Sequence, residues 1–262
     1  MAVTKTELKK IKSLHSKKGR KEHGRYLAEG TRLLEESLRH GLMPETVYHL
    51  NDGLSPRERQ LLSAFEDRGV PVMPLTLKQL DFASETRSPQ GLLGIFTLPE
   101  QKPGELSRLN FRKLLLCEDI SEPGNLGTLI RSALAFGFDK VLLGDSSADP
   151  FSPKVVRSSV GAIFGLQILK VTTQELLSFV RDKKLLMIGT GMAGRSDWNE
   201  PAERIKKEKF ILAIGSEAEG LSEEVRQACE FLLRIDHDNK VESLNAGVAG
   251  SIIMKQLYDI LK

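Results

Sequence analysis

Apolar residues fall along this chain in two rhythms: short unbroken runs that fit strands, and stretches where they return every three or four positions, as one face of a helix requires. In the first part, Tyr26 to Ala28, Thr46 to Leu50, Val70 to Leu75 and Leu92 to Leu98 read as strands. Helices are expected from Thr31 to His40, with Leu33, Leu34 and Leu38 apolar and Gly41 as the stop, and from about Pro56 to Arg68. In the second part the runs Leu114–Cys117, Val141–Leu143, Leu166–Leu169, Leu185–Ile188, Phe210–Ile214 and Phe231–Leu233 recur, with helical segments between most of them. Such strands imply an α/β fold with a mainly parallel sheet covered on both faces, and ligands gather beyond the carboxyl ends of its strands. The polar stretch 99–110 breaks the pattern, so the expected organisation is a small α/β domain over 1–98, a linker, and a larger domain over 111–262.

Composition adds limits rather than chemistry. At 262 residues and 40% hydrophobic, the chain can bury two cores without a disulfide or metal. Cys117 and Cys229 are far apart and beside apolar segments, which suits small buried residues in a reducing compartment. No apolar run is long enough to cross a bilayer, and the basic N-terminus lacks the apolar centre of a signal peptide. A cytoplasmic protein with no membrane partner is expected. Net charge is only +3, but up to Arg25 the basic residues Lys5, Lys9, Lys10, Lys12, Lys17, Lys18, Arg20, Lys21 and Arg25 face only Glu7 and Glu22. That run suits the phosphates of a nucleic acid, or equally a solvated, frayed terminus.

Candidate chemistry lies in the strand-end loops. Gly189-Thr-Gly191-Met-Ala-Gly194 has the spacing of a dinucleotide-binding turn, but Arg195-Ser-Asp-Trp-Asn-Glu-Pro201 follows, so the glycines do not open an amphipathic helix over a phosphate. There is no P-loop, paired-cysteine zinc pattern, H-E-x-x-H or G-x-S-x-G. Three loops carry polar residues that a core does not need. Asn125 stands where it could cap a helix, and Arg131 lies further in among Leu129, Ile130 and Leu134, snorkelling or aimed at an anion. In Ile214-Gly-Ser-Glu-Ala-Glu-Gly-Leu221, Glu223 and Glu224 beyond the loop suit a helix start, whereas Glu217 needs another explanation. Val241 to Ser251 places a polar cluster before a helix rich in small residues, which suit either a ligand or tight helix packing.

Taken together, N-L-G-T-L-I-R-S-A-L-A-F-G at 125–137, I-G-S-E-A-E-G-L at 214–221 and V-E-S-L-N-A-G-V-A-G at 241–250 resemble the three motifs of the SpoU/TrmH branch of the SPOUT RNA ribose 2′-O-methyltransferases. Ser152 to Ala162 also looks like that family, and Tyr26-Leu-Ala-Glu-Gly30 with Ser88-Pro-Gln-Gly91 resemble its N-terminal RNA-binding domain. The resemblance implies a trefoil-knotted, metal-independent domain that uses S-adenosylmethionine, and a homodimer with an active site completed across the interface. It places Asn125, Arg131, Glu217, Ser243 and Asn245 at active-site positions. Thr190, Gly191, Gly215, Ile235, Leu244 and again Asn245 fall at cofactor positions. Ala246-Gly247 and Asp236-His237 depart from the Val-Ser and Pro-Met common in relatives.

The implied reaction sets its own demands. A sulfonium carbon is already activated, whereas a ribose 2′-hydroxyl must lose a proton and approach in line with the carbon–sulfur bond. A guanidinium is rarely neutral in a protein, which favours Arg131 as phosphate clamp and alkoxide stabiliser over its use as the base. Glu217 could take the proton, hold Arg131, or cap backbone N–H groups. The expected substrate is ribosomal RNA, with transfer RNA as the alternative; a silent RNA-binding protein of the same fold is the rival from another class.

Overall fold

A computed structural model describes residues 3–85, 90–238, 240–241 and 243–262. Ser88, Pro89 and Glu242, which carry part of the resemblance, lie outside the described residues. By packing, the chain forms two compact units: residues up to 100 together with 149–165, and residues 101–148 with 166–262.

In the first unit, Thr4 and Ser16 open two short helices, α1 (Lys5–Ser13) and α2 (Lys17–His23), each side-chain oxygen accepting a backbone N–H three residues on. Leu8, Ile11 and Leu14 recur at helical spacing and are buried. The basic run is therefore the polar face of an ordered helical pair, not a frayed terminus. Arg20, counted above with the phosphate-binding charges, is withdrawn from that role at 3% exposure. Its guanidinium donates to Asp149 at 2.6 Å and to the carbonyls of Leu14 and His15 at 2.7 and 2.9 Å.

Four strands, β1 (Arg25–Glu29), β2 (Thr46–Leu50), β3 (Val72–Leu75) and β4 (Leu92–Thr97), lie in the order β1-β4-β2-β3, antiparallel except for β2 and β3. Helix α3 (Thr31–Arg39) is joined by α4 (Pro56–Glu66) and α5 (Leu77–Ala83), the last two opened by the capping boxes Ser55–Glu58 and Thr76–Gln79. Residues 149–165 supply α7 (Pro153–Ser158) and two aromatic contacts: Phe151 on Tyr26 and Phe164 on Phe96, with ring centroids 4.9 and 5.0 Å apart.

The second unit has one six-stranded, wholly parallel sheet. Its strands are β5 (Lys113–Cys117), β6 (Lys140–Gly144), β7 (Gln167–Val171), β8 (Leu186–Arg195), β9 (Phe210–Ile214) and β10 (Phe231–Leu233). The order is β10-β8-β9-β5-β6-β7. All five residues of β9 are buried, as a central strand covered on both faces requires. Strand order reverses between β5 and β9, so the crevice expected to hold ligands opens where Cys117 and Ile214 end side by side. At the far edge the side-chain amide of Gln101 bonds both the N–H and the carbonyl of Lys170 on β7, each at 2.8 Å.

Helices α6 (Pro123–Ala135), α8 (Thr173–Lys183), α9 (Asn199–Lys207), α10 (Glu223–Ala228) and α11 (Ala246–Leu261) complete this unit. The small residues of α11 serve packing against α6: a Cβ on Gly250 would meet Leu129 at 2.4 Å, and the hydroxyls of Ser251 and Ser132 lie 2.7 Å apart.

Two local expectations change. The segment after Ile188 is strand rather than loop, because β8 pairs with β9 as far as Gly189 and, after a bulge of residues 190–194 in β8, Arg195 pairs with Leu233 of β10. Asn125 does not cap α6; Glu122 does, accepting from the Gly124 N–H, with Pro123 in the first turn. Consistent with the glycine run being no helix-opening turn, α9 begins only at Asn199.

Candidate active site

The loop after β9 is a tight turn. Ser216 and Gly220 exchange backbone hydrogen bonds of 3.0 and 3.1 Å, and Gly220 takes φ +72°. Gly215 has no room for a side chain, since a Cβ there would lie 2.2 Å from the Gly220 carbonyl. The turn ends at Ser222, the cap of α10, whose hydroxyl and N–H donate to Glu118 at 2.7 and 3.0 Å. Glu118, 6% exposed at the end of β5, thus ties two neighbouring strand ends together. It is a positioning residue that sequence reasoning passed over. The available signal was a carboxylate directly after a continuous apolar strand.

At the tip of the turn, Oε1 of Glu217 accepts from Asn125 Nδ2 at 2.5 Å, Asn245 Nδ2 at 2.7 Å and the Ala246 N–H at 3.2 Å. Asn245 Nδ2 also donates to Asn125 Oδ1 at 2.9 Å, while its own Oδ1 accepts from the Val248 N–H at 3.1 Å and caps α11. Because an amide has one acceptor end and one donor end, this cap leaves the Asn245 NH2 facing the carboxylate. Three segments widely separated in sequence are closed into one polar triangle. Glu217 does cap a backbone N–H, and its side-chain partners are the two asparagines rather than Arg131.

Beside the triangle lies a pocket of about 370 Å3, lined by Thr190, Gly191, Gly215, Glu217, Ile235, Ser243 and Leu244 among others. Space opens over Gly191, whereas a Cβ on Gly194 would meet the backbone of β10 at 2.7 Å. The Thr190 hydroxyl donates to the Ala213 carbonyl at 3.3 Å. Ser243 is exposed and makes no side-chain hydrogen bond among the described residues. His237, at one of the noted departures, also lines the pocket, as does Arg226, which pairs with Glu223. The Arg226 guanidinium holds the Glu223 carboxyl below the usual range, in keeping with an ordinary helix-start acid.

Arg131 stands apart. Six residues past Asn125 on α6, it lies about 9 Å along the axis and about a third of a turn round. It is exposed and makes no ion pair or hydrogen bond among the described residues. Of the named active-site residues, Asn125, Glu217 and Asn245 meet directly, Ser243 lines the adjoining pocket, and Arg131 does not join them within one chain. Among the described residues no cluster of His, Cys, Asp and Glu could hold a metal, and no helix is long and apolar enough to cross a membrane.

The pocket fits an elongated, partly apolar ligand bearing hydrogen-bonding groups. Leu233, Ile235 and Leu244 give it apolar walls, and backbone at Gly191 and Gly215 is free of side-chain cover. Comparison with known proteins identifies the family. The profile of the SpoU rRNA methylase family matches residues 112–255, and that of the MRM3-like substrate-binding domain matches 5–94. The Bacillus subtilis 23S rRNA (guanosine(2553)-2′-O)-methyltransferase RlmP is 30% identical over 96% of this chain and 95% of its own length. A 23S rRNA (uridine(2479)-2′-O)-methyltransferase of Streptomyces viridochromogenes is 28% identical over 92% of this chain and 85% of its own. The AdoMet-bound rRNA methyltransferase structure from Sinorhizobium meliloti superposes with a TM-score of 0.84 at 26% identity, covering 100% of this chain and 97% of that one.

Proposed function

Because this chain belongs to the SpoU rRNA methylase family, with the SPOUT fold, we propose that its triangle and pocket transfer a methyl group from S-adenosylmethionine to a ribose 2′-hydroxyl of ribosomal RNA. The observation that carries this reading is the convergence of Asn125 and Asn245 on Glu217, which itself lines a glycine-lined pocket. When bound, S-adenosylmethionine would supply an electrophilic methyl carbon on a sulfonium, and Thr190, Gly191, Gly215, Ile235, Leu244 and Asn245 would hold it. Glu217 acts as a positioning residue: its carboxylate fixes both asparagines, and their remaining hydrogen-bonding capacity with Ser243 orients the sugar.

Arg131 clamps a phosphate of the substrate and stabilises the charge that grows on the 2′-oxygen as its proton passes to solvent. A guanidinium with no partner among the described residues suits service in the site of a second copy, so the working form is a homodimer. Met192, Val241 and Val248, exposed apolar residues of the second unit, suit burial by such a copy. The substrate-binding domain spans 1–98, residues 99–110 link it to the transferase domain 111–262, and the trefoil knot implied by the resemblance belongs to this picture. The protein works where ribosomal RNA is, in the cytoplasm.

The test uses radiolabelled S-adenosylmethionine and ribosomal RNA from cells lacking the protein, with ribose methylation then mapped by mass spectrometry. Label is expected at one ribose. Arg131→Ala is expected to lose at least about a hundredfold in turnover, the scale of one lost charge-stabilising contact, while calorimetry finds S-adenosylmethionine binding near normal. Unchanged turnover in that variant would remove Arg131 from the chemistry.

A further inference from the structure

A second cavity, of about 440 Å3, lies wholly within the first unit, where α1 stands over the face of β2 and β4 that carries Thr46, Tyr48 and Ile95. Its lining combines two chemistries over a closed back wall of Ile11 and Ile95, both buried. Glu7 offers an acceptor: its Oε1 takes the Tyr48 hydroxyl at 2.6 Å, and Oε2 has no donor among the described residues. Lys10 and His23 also line the cavity, and neither side chain has an ion pair or hydrogen bond among the described residues. The other charges there are spent on each other, Arg25 pairing with Glu45 at 2.6 Å.

An acceptor-only carboxylate and unpaired donors in one cavity suit a nucleotide, whose base edge donates to Glu7 while its phosphate meets Lys10 and His23. The carboxylate selects among bases. Guanine presents two adjacent N–H donors, N1–H and the N2 amine; adenine and cytosine pair one amine with an acceptor, and uracil sets its single N–H between two carbonyls. We propose that this cavity holds an unstacked guanosine of the RNA substrate, separate from the nucleotide that is methylated. The inference rests on the reading that the chain acts on RNA.

The full-length protein is titrated with the single-stranded RNAs AAGAA, AAAAA and AAUAA by fluorescence anisotropy at several salt concentrations. AAGAA is expected to bind about tenfold more tightly than the other two, the discrimination typical of one bidentate base contact. Glu7→Gln, which keeps an acceptor for Tyr48, is expected to abolish that preference. Lys10→Ala is expected to weaken all three RNAs alike and to reduce the salt slope by roughly 0.7, the value for one phosphate on a single strand. Equal affinities in the wild type, or a preference that survives Glu7→Gln, overturn the proposal. Should Glu7→Gln fail to fold, the wild-type comparison and Lys10→Ala decide. Radiolabel transfer to ribosomal RNA is measured alongside. Transfer without guanine preference removes only the pocket, whereas no transfer by well-folded protein removes the methyltransferase reading itself.

Discussion

At the scale of single residues, the same side-chain types serve opposite ends. Glu217 and Glu118 are both carboxylates at strand ends, yet Glu118 is spent holding Ser222, while Glu217 gathers two asparagines beside a pocket. Arg20 and Arg131 divide similarly, one sealed among Asp149 and two carbonyls, the other exposed and unpaired among the described residues. Arg20→Ala strands Asp149 and both carbonyls without their donor. Breaking a buried pair in this way costs about 3 kcal/mol. Hydrogen exchange should show the amides of α1 and α2 losing protection by that amount; protection within 1 kcal/mol of wild type, on the order of a surface pair, would show that Arg20 holds nothing. Cys117 is buried and Cys229 partly so; burial raises both thiols, with the Glu118 charge adding to the rise of Cys229 to about 12. Cys117 thus agrees with the expectation of a small core residue, and Cys229 sits at the core's margin.

Among elements, the turn from Gly215 to Leu221 sets the site, because its tightness positions Glu217. Gly215→Ala would force a methyl group into the Gly220 carbonyl, and backbone cannot yield as a side-chain tip can. That variant is expected to bind S-adenosylmethionine at least about tenfold more weakly, in line with the 1–3 kcal/mol of overpacking, as read by calorimetry; wild-type affinity would show that the turn tolerates opening.

Strands built of unbroken apolar runs, such as Phe210–Ile214, were legible in the chain, since a buried strand needs nothing else. The amphipathic α1 was hidden because only Leu8 and Ile11 are apolar among its lysines, and α5 announced itself only through Thr76 and Gln79. The extension of β8 to Arg195 runs through glycines, which have no side chain to display alternation. The identities at the triangle were legible one by one, but not the hydrogen bonds that join positions 125, 217 and 245, because only tertiary packing creates them. The packing of 149–165 on the first unit was illegible for the same reason.

For the whole molecule, the position of Arg131 outside its own chain's triangle bears on assembly. If it serves a second copy, Arg131→Ala and Glu217→Ala each inactivate every homodimer, yet their mixture restores one sound site in each mixed dimer. With random exchange about a quarter of wild-type activity should return, measured by label transfer after co-refolding. Activity no greater than in either variant alone would mean that both residues act within one chain.

Gln101 has a bearing on how copies can meet. Its amide behaves as a one-residue strand laid along β7, so a stranger arriving at Lys170 finds the ladder already occupied. The opposite border of the sheet, β10, runs for only three residues. Growth of the sheet from molecule to molecule, the usual beginning of fibrils, therefore has little template on either side.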